Sequence, residues 1–157
     1  MIPVTVVYHN VHSPRKVEEM ARTVAGFGAK RFVISRALGS AAQEGVPKAQ
    51  RICLEAGVEL LFFQDLEEAL KALSPDVTYM AEDAEHGGAK PLDFDAVVEE
   101  IEQEREVCFV FGSARPGLTK QELELGDEAV YVGTERNVGE VGAVAILLHE
   151  LRKRLNQ

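Results

Sequence analysis

Val107-Cys108-Phe109-Val110-Phe111-Gly112-Ser113-Ala114-Arg115-Pro116-Gly117-Leu118 is the stretch on which the reading of this chain turns. Its first five residues are apolar without alternation, the pattern of a strand buried on both faces of a parallel sheet. Two glycines and a proline then make a loop at the strand's carboxyl end, the edge where open α/β sheets take ligands. Downstream, a short strand at 129–132 leads into Gly133-Thr134-Glu135-Arg136-Asn137-Val138-Gly139 and a final helix. The two glycine-bearing loops read as a ligand cradle.

Upstream the pattern alternates. Residues 2–8 read as a strand. Ser13-Pro14 supplies a cap and a first-turn proline for a helix with Val17, Met20, Ala21, Val24 and Phe27 on one face and Gly28 as its stop. A strand at 31–35, a helix carrying Ala49, Ile52, Cys53 and Ala56 up to Gly57, and a strand at 58–63 follow. Asp65 and Glu68 have the spacing of a capped helix start. A strand at 77–80, a loop at 82–90 and a helix with Phe94, Val97, Val98 and Ile101 complete the approach to Val107. This alternation predicts an α/β fold with a mainly parallel sheet flanked by helices.

With 157 residues, 46% of them hydrophobic, and no repeat or linker, residues 1–157 are expected to form a single domain. No apolar run approaches the roughly 20 residues that span a bilayer. The start lacks the features of a signal peptide, and Cys53 and Cys108 share no CxxC spacing, so a cytoplasmic protein with buried thiols is expected. The net charge of −9 disfavours nucleic acid, but residues 1–36 hold six Lys/Arg against two Glu. The final helix is apolar around much of its circumference: Val141, Val144, Ala145, Leu148 and Leu151 form one stripe, widened by Ile146 and Leu147. Such a helix is central to the core or partly covered by a second subunit, and a homodimer through it is expected.

There is no Walker loop and no HExxH, and Gly26-Phe27-Gly28 lacks the third glycine of a dinucleotide fingerprint. Glu82-Asp83-Ala84-Glu85-His86 reads either as a divalent-metal loop or, more commonly, as a solvated acidic loop; no metal site is assigned. A metal-dependent nuclease built on Asp65, Glu67 or that loop has no recognisable ligand spacing to support it.

Asn10-Val11-His12-Ser13-Pro14 with Arg22-Thr23 and Phe27-Gly28 resembles motif 1 of the SPOUT superfamily, in particular its SpoU-like (TrmH-type) RNA 2′-O-methyltransferases. Residues 111–118 resemble motif 2, and Asn137-Val138 through Ala143 to Leu148 resembles motif 3. The resemblance implies a C-terminal deep trefoil knot, a homodimer, and S-adenosylmethionine bound among the knot loops. The cofactor contacts it implies are Phe111, Gly112, Ser113, Gly117, Leu118, Tyr131, Val132, Gly133, Asn137 and Val138, with the Gly87-Gly88 loop as a further wall. It implies RNA (tRNA or rRNA) as substrate, Arg22 and Asn137 as catalytic residues, and Arg15, Lys16 and Arg22 as RNA contacts.

A sulfonium methyl is already activated, so such an enzyme mainly aligns it with the nucleophile and manages the ribose hydroxyl proton. The chain departs from the family pattern at three places. Lys16 stands for the motif 1 asparagine, Ala114 for the motif 2 glutamate, and Glu135-Arg136 for a Ser/Thr-Leu pair. The expected function is therefore RNA methylation, with a knotted dimer that binds S-adenosylmethionine or RNA without transfer as the rival. Ordinary roles are also available: an Arg22–Glu18 helix ion pair, Asn137 as a cap of the last helix, and His149 as a packed helix residue. Arg115 and Arg136 lie in the cradle loops, positioned to neutralise a cofactor carboxylate or face solvent.

Overall fold

The run of mostly β-branched residues over Ile2–Val11 gives β1, a strand buried on both sides, at the centre of the sheet. The computed structural model describes every residue except Ala84, His86, Gly87, Ala114, Arg115, Pro116 and Gln157. Helix α1 (Pro14–Phe27) starts where the Ser13 hydroxyl accepts the Lys16 N–H at 3.3 Å and stops at Gly28 in the left-handed region, as its sequence predicts. There follow β2 (Ala29–Ala37), a π-helical turn (Ala41–Gly45), α2 (Val46–Ala56), β3 (Glu59–Phe63), α3 (Leu66–Leu73), β4 (Val77–Ala81) and β5 (Lys90–Pro91). The chain ends with α4 (Phe94–Glu102), β6 (Val107–Gly112), α5 (Lys120–Leu123), β7 (Glu128–Tyr131) and α6 (Glu140–Arg154).

Three of these elements carry no strong periodic signal. The π turn precedes Pro47, which cannot donate to the carbonyl a turn behind it. The helix widens there, with the Val46 N–H reaching Ala41 O. Helix α5 is one turn long, built on a capping box between Thr119 and Glu122. Strand β5 is two residues long. At α3, Asp65 caps through Leu66 N, while Glu68 reaches the N–H of Gln64 rather than that of Asp65.

The strands form one seven-stranded sheet in the order β3-β2-β1-β6-β4-β7-β5, with every pairing parallel. Period-2 alternation sorts the side chains. Ile2, Val4, Val6 and Tyr8 join Phe109 and Phe111 beneath α1, α2, α4 and α6, while Val7, Val33, Cys108 and Val110 face α3 and Leu118. Both cysteines are free and buried, and burial pushes the Cys53 thiol up to about 11 and the Cys108 thiol to about 12. Glu100 on α4 is half-buried and accepts the Tyr79 hydroxyl at 2.9 Å. His149 is exposed, its ring edge-on to Phe27 with centroids 6.4 Å apart, rather than packed inside. Among the described residues no helix is long and apolar enough to cross a membrane.

Candidate functional site

Register brings three loops to one edge. Ala81 at the end of β4 lies beside Phe111 on β6 and Val130 on β7, so the segments leaving these strands emerge together at their carboxyl ends. Backbone bonds lock their roots: Glu82 N to Val130 O at 2.8 Å, Leu92 N to Tyr131 O at 2.8 Å and Ser113 N to His9 O at 3.2 Å. The loops and the first turn of α6 enclose a cavity of about 360 Å³.

From the end of β6 and the loop after it, Phe111, Gly112, Ser113, Gly117 and Leu118 line this cavity; from the end of β7 and the segment after it, Tyr131, Val132, Asn137 and Val138 do. Gly133, between two lining residues, does not itself contribute to the wall. Gly112 is required by close approach, since a Cβ there would lie 2.9 Å from the Gly117 carbonyl carbon and 2.9 Å from Leu118 N. The loop folds back onto its own origin through that contact. Gly117 takes φ +81°, and the Glu82 carboxylate accepts the neighbouring Leu118 N–H at 3.2 Å, tying the loop after β4 to the loop after β6. Asn137 is a brace rather than a helix cap. Its Oδ1 accepts the Gly139 N–H at 2.7 Å and its Nδ2 donates to Asp83 at 3.3 Å, while α6 has no side-chain cap.

The cations assigned to catalysis and RNA lie elsewhere. No residue of α1 lines the cavity. Arg22 is exposed and donates to Glu18 at 3.0 Å, and Arg15 donates to Glu19 at 3.0 Å. Lys30, Arg31 and Arg36 pair with Glu106, Glu59 and Asp65 respectively, so the basic N-terminal balance is largely neutralised by carboxylates in space. Lys16 is an exposed residue on the first turn of α1. Arg136 is exposed and outside the wall. Ala114, Arg115, Gly87 and part of the acidic 82–86 loop lie outside the described residues.

Sequence reasoning passed over two arrangements here. Glu140, the first residue of α6, lines the cavity, is only 7% exposed, and accepts the Tyr8 hydroxyl at 2.6 Å. Its Oε2 and the Ser113 Oγ are buried with no hydrogen-bond partner among the described residues. The only local signal was an acid in the first turn of an apolar helix, which the helix dipole favours. Behind the cavity, His9 is fully buried between Ser35 Oγ (2.8 Å from Nδ1) and Glu122 Oε2 (2.5 Å from Nε2), with the Arg36 guanidinium 3.7 Å from the same carboxylate oxygen. Burial lowers the imidazole's affinity for a second proton, against the opposing pull of Glu122. A neutral ring then donates from Nε2 to Glu122 and accepts at Nδ1 from Ser35.

Carboxylates with a metal-dependent alternative are already engaged: Asp65 holds Leu66 N and Arg36, and Glu67 faces Lys71 at 3.7 Å. Among the described residues no three His, Cys, Asp or Glu side chains converge as metal ligands would.

Comparison with known proteins adds the family. Residues 39–150 match the family described as RecB-family nuclease (DUF2122). The chain belongs to that family. Two relatives are similar over nearly their whole lengths. One, from Methanocaldococcus jannaschii, is provisionally named type II restriction enzyme MjaORF1200P; it is 33% identical over 147 residues, 94% of each chain. The other, from Aeropyrum pernix, is provisionally named type II restriction enzyme ApeKORF2002P; it is 33% identical over 157 residues, 96% of this chain and 93% of the relative.

Solved structures show what fold this DUF2122 member has. The "Probable Methyltransferase" of Bordetella pertussis Tohama I superimposes with a TM-score of 0.77 at 20% identity, covering 98% of this chain and 96% of the other. TrmJ of Z. mobilis ZM4 gives 0.77 at 18% identity over 98% and 70%. The SpoU methyltransferase AviRb of Streptomyces viridochromogenes, crystallised with AdoMet, gives 0.70 at 16% identity over 98% and 58%. The DUF2122 chain therefore has the α/β fold of SpoU/TrmH-type methyltransferases under a family description that speaks of nucleases.

Proposed function

We propose that this chain binds S-adenosylmethionine in the cavity at the ends of β4, β6 and β7 and transfers its methyl group to RNA, at a ribose 2′-oxygen. The observation that carries the reading is that described residues from both segments the resemblance assigns to the cofactor, 111–118 and 131–138, line one cavity. Membership of the same fold as AviRb, which was crystallised with AdoMet, supports it. In this reading residues 1–157 are one domain, the late loops are threaded as a trefoil knot, and two chains pair through α6.

The wall fits such a cofactor in chemistry. Phe111, Leu118, Val130 and Val132 offer apolar surface for a base, and Ser113 and Glu140 offer polar atoms without a partner among the described residues. When bound, the cofactor supplies an electrophilic methyl group. The chain's own part is to fix its orientation through the short 112–118 loop, exclude water with the apolar floor, and hold Asn137 rigid between Asp83 and Gly139. Arg22, outside the wall of its own chain, serves across the dimer at the ribose hydroxyl; Arg15 and Lys16 contact phosphate.

Calorimetry with S-adenosylmethionine, followed by transfer of a tritiated methyl group to bulk tRNA and rRNA, tests the reading. Binding and incorporation are the expected results. Binding without incorporation favours the rival, a knotted dimer that binds S-adenosylmethionine or RNA without transfer, which the Lys16 and Ala114 replacements motivate and the Glu18-paired Arg22 supports. A second reading, nucleic acid cleavage, is favoured by the family description and by the names of the relatives. Magnesium-dependent cleavage of DNA or RNA, with no affinity for S-adenosylmethionine, would establish it and remove the first.

A further inference from the structure

We infer that Glu140 makes the cavity selective for charge, holding the sulfonium form of an adenosyl cofactor more tightly than the neutral thioether left after methyl transfer. This rests on the cofactor reading and adds a residue that distinguishes substrate from product.

The position of Glu140 is unusual for a carboxylate. It forms part of the cavity wall, is 7% exposed, receives one hydrogen bond from Tyr8, and leaves Oε2 without a partner among the described residues. A buried carboxylate with one satisfied oxygen calls for a donor or a cation at the other. Burial first, then the hydrogen bond to Glu140, pushes the Tyr8 hydroxyl far above its ordinary range, so the phenol keeps its proton and remains the donor to Glu140.

Two further observations point the same way. Ser113 Oγ, in the same wall, is also buried without a partner among the described residues, so two polar groups of the wall are left to one ligand. Glu82 and Asp83 line it as well, while no Lys or Arg does among the described lining residues. The amino end of α6 opposes this field, but a helix terminus carries about half a unit charge and Glu140 a whole one.

In the transfer, the substrate oxygen bonds to the methyl carbon and the carbon–sulfur bond breaks, its electron pair going to sulfur. The hydroxyl proton leaves to solvent. The sulfonium becomes a neutral thioether, so the reaction removes the charge that Glu140 attracts, and product release is built into the wall.

Calorimetry on the full chain tests this with three ligands: S-adenosylmethionine, S-adenosylhomocysteine, and sinefungin, which carries an ammonium in place of the sulfonium. The two charged ligands should bind about tenfold more tightly than the thioether. Glu140→Gln, which still accepts from Tyr8, should erase that preference by weakening the charged ligands alone, while Glu140→Asp retains it. Equal wild-type affinities, or a parallel loss of all three ligands in Glu140→Gln, overturn the assignment. If Glu140→Gln does not fold, the wild-type ligand series and Glu140→Asp decide the matter. Failure of all three ligands to bind the wild type instead overturns the cofactor reading itself.

Discussion

His9 shows how much one residue can anchor here. Its ring joins β1 to β2 through Ser35 and to α5 through Glu122, and α5 follows directly on the cavity loop. Its proton affinity is lowered by burial from the ordinary 6.5, so on acidification the unfolded chain takes up the proton before the folded one does. The stabilisation is complete above about pH 6.5 and is lost as the pH falls from there through the folded value. Urea unfolding between pH 5 and 8 should show that decline in the wild type and not in His9→Gln, whereas parallel curves would refute it. His9→Ala, which strands Ser35 and Glu122, should cost on the order of 2 kcal/mol at pH 7.5. Arg22 is the opposite kind of residue. Its exposed i,i+4 pair with Glu18 is worth at most about 0.5 kcal/mol, so Arg22→Ala should melt as the wild type does. If it acts at the ribose hydroxyl, the same change lowers methyl transfer on the order of a hundredfold with cofactor affinity unchanged.

At the scale of elements, the loop between β6 and α5 is held by contact rather than by length. Gly112→Ala would drive a methyl group into backbone atoms of Gly117 and Leu118, which cannot move aside without opening the loop. A loss of about 1–3 kcal/mol in urea unfolding is expected, together with weaker binding of S-adenosylmethionine by calorimetry. An unchanged affinity would mean that the ligand does not touch this loop. A similar constraint acts between α1 and the π turn, where a Cβ on Gly45 would lie 3.0 Å from both Pro14 Cα and Val17 Cβ. The widened turn thus supplies a small residue where two helices cross, and Pro47 can then enter the first turn of α2.

For the whole molecule, the question is what covers α6. One side packs on α1, α4 and β1 through Val144, Leu147, Leu148 and Leu151, all fully buried. Val141, Ala145 and Ile146 stay half-buried and Val138 is 49% exposed, so an apolar strip remains on the outside. A homodimer sealing that strip predicts a sedimentation mass of two chains at micromolar concentration, with Ile146→Glu reducing it to one. A wild-type monomer would reject pairing through α6. The acidic charge of the chain concerns partners at this same scale. With Arg15, Arg22, Lys30, Arg31 and Arg36 each facing a carboxylate, an RNA substrate as proposed would compete with these internal pairs, and its methylation should weaken as salt rises.

What the sequence determined by itself is local. The Ser13 cap and Gly28 stop of α1, the Gly57 stop of α2, the unbroken apolar run of β6 and the glycine loops on either side of β7 were legible because each depends on a few neighbouring residues. Helix α5 was hidden because one turn has no period to detect, although its Thr119–Glu122 spacing was present. The tertiary structure alone decided which strands are neighbours, and with them the site. Tyr8 meets Glu140 across 132 positions and His9 meets Glu122 across 113. Such contacts arise from strand order and register, which are set by closing long loops around a shared core and leave no trace in a short window of sequence.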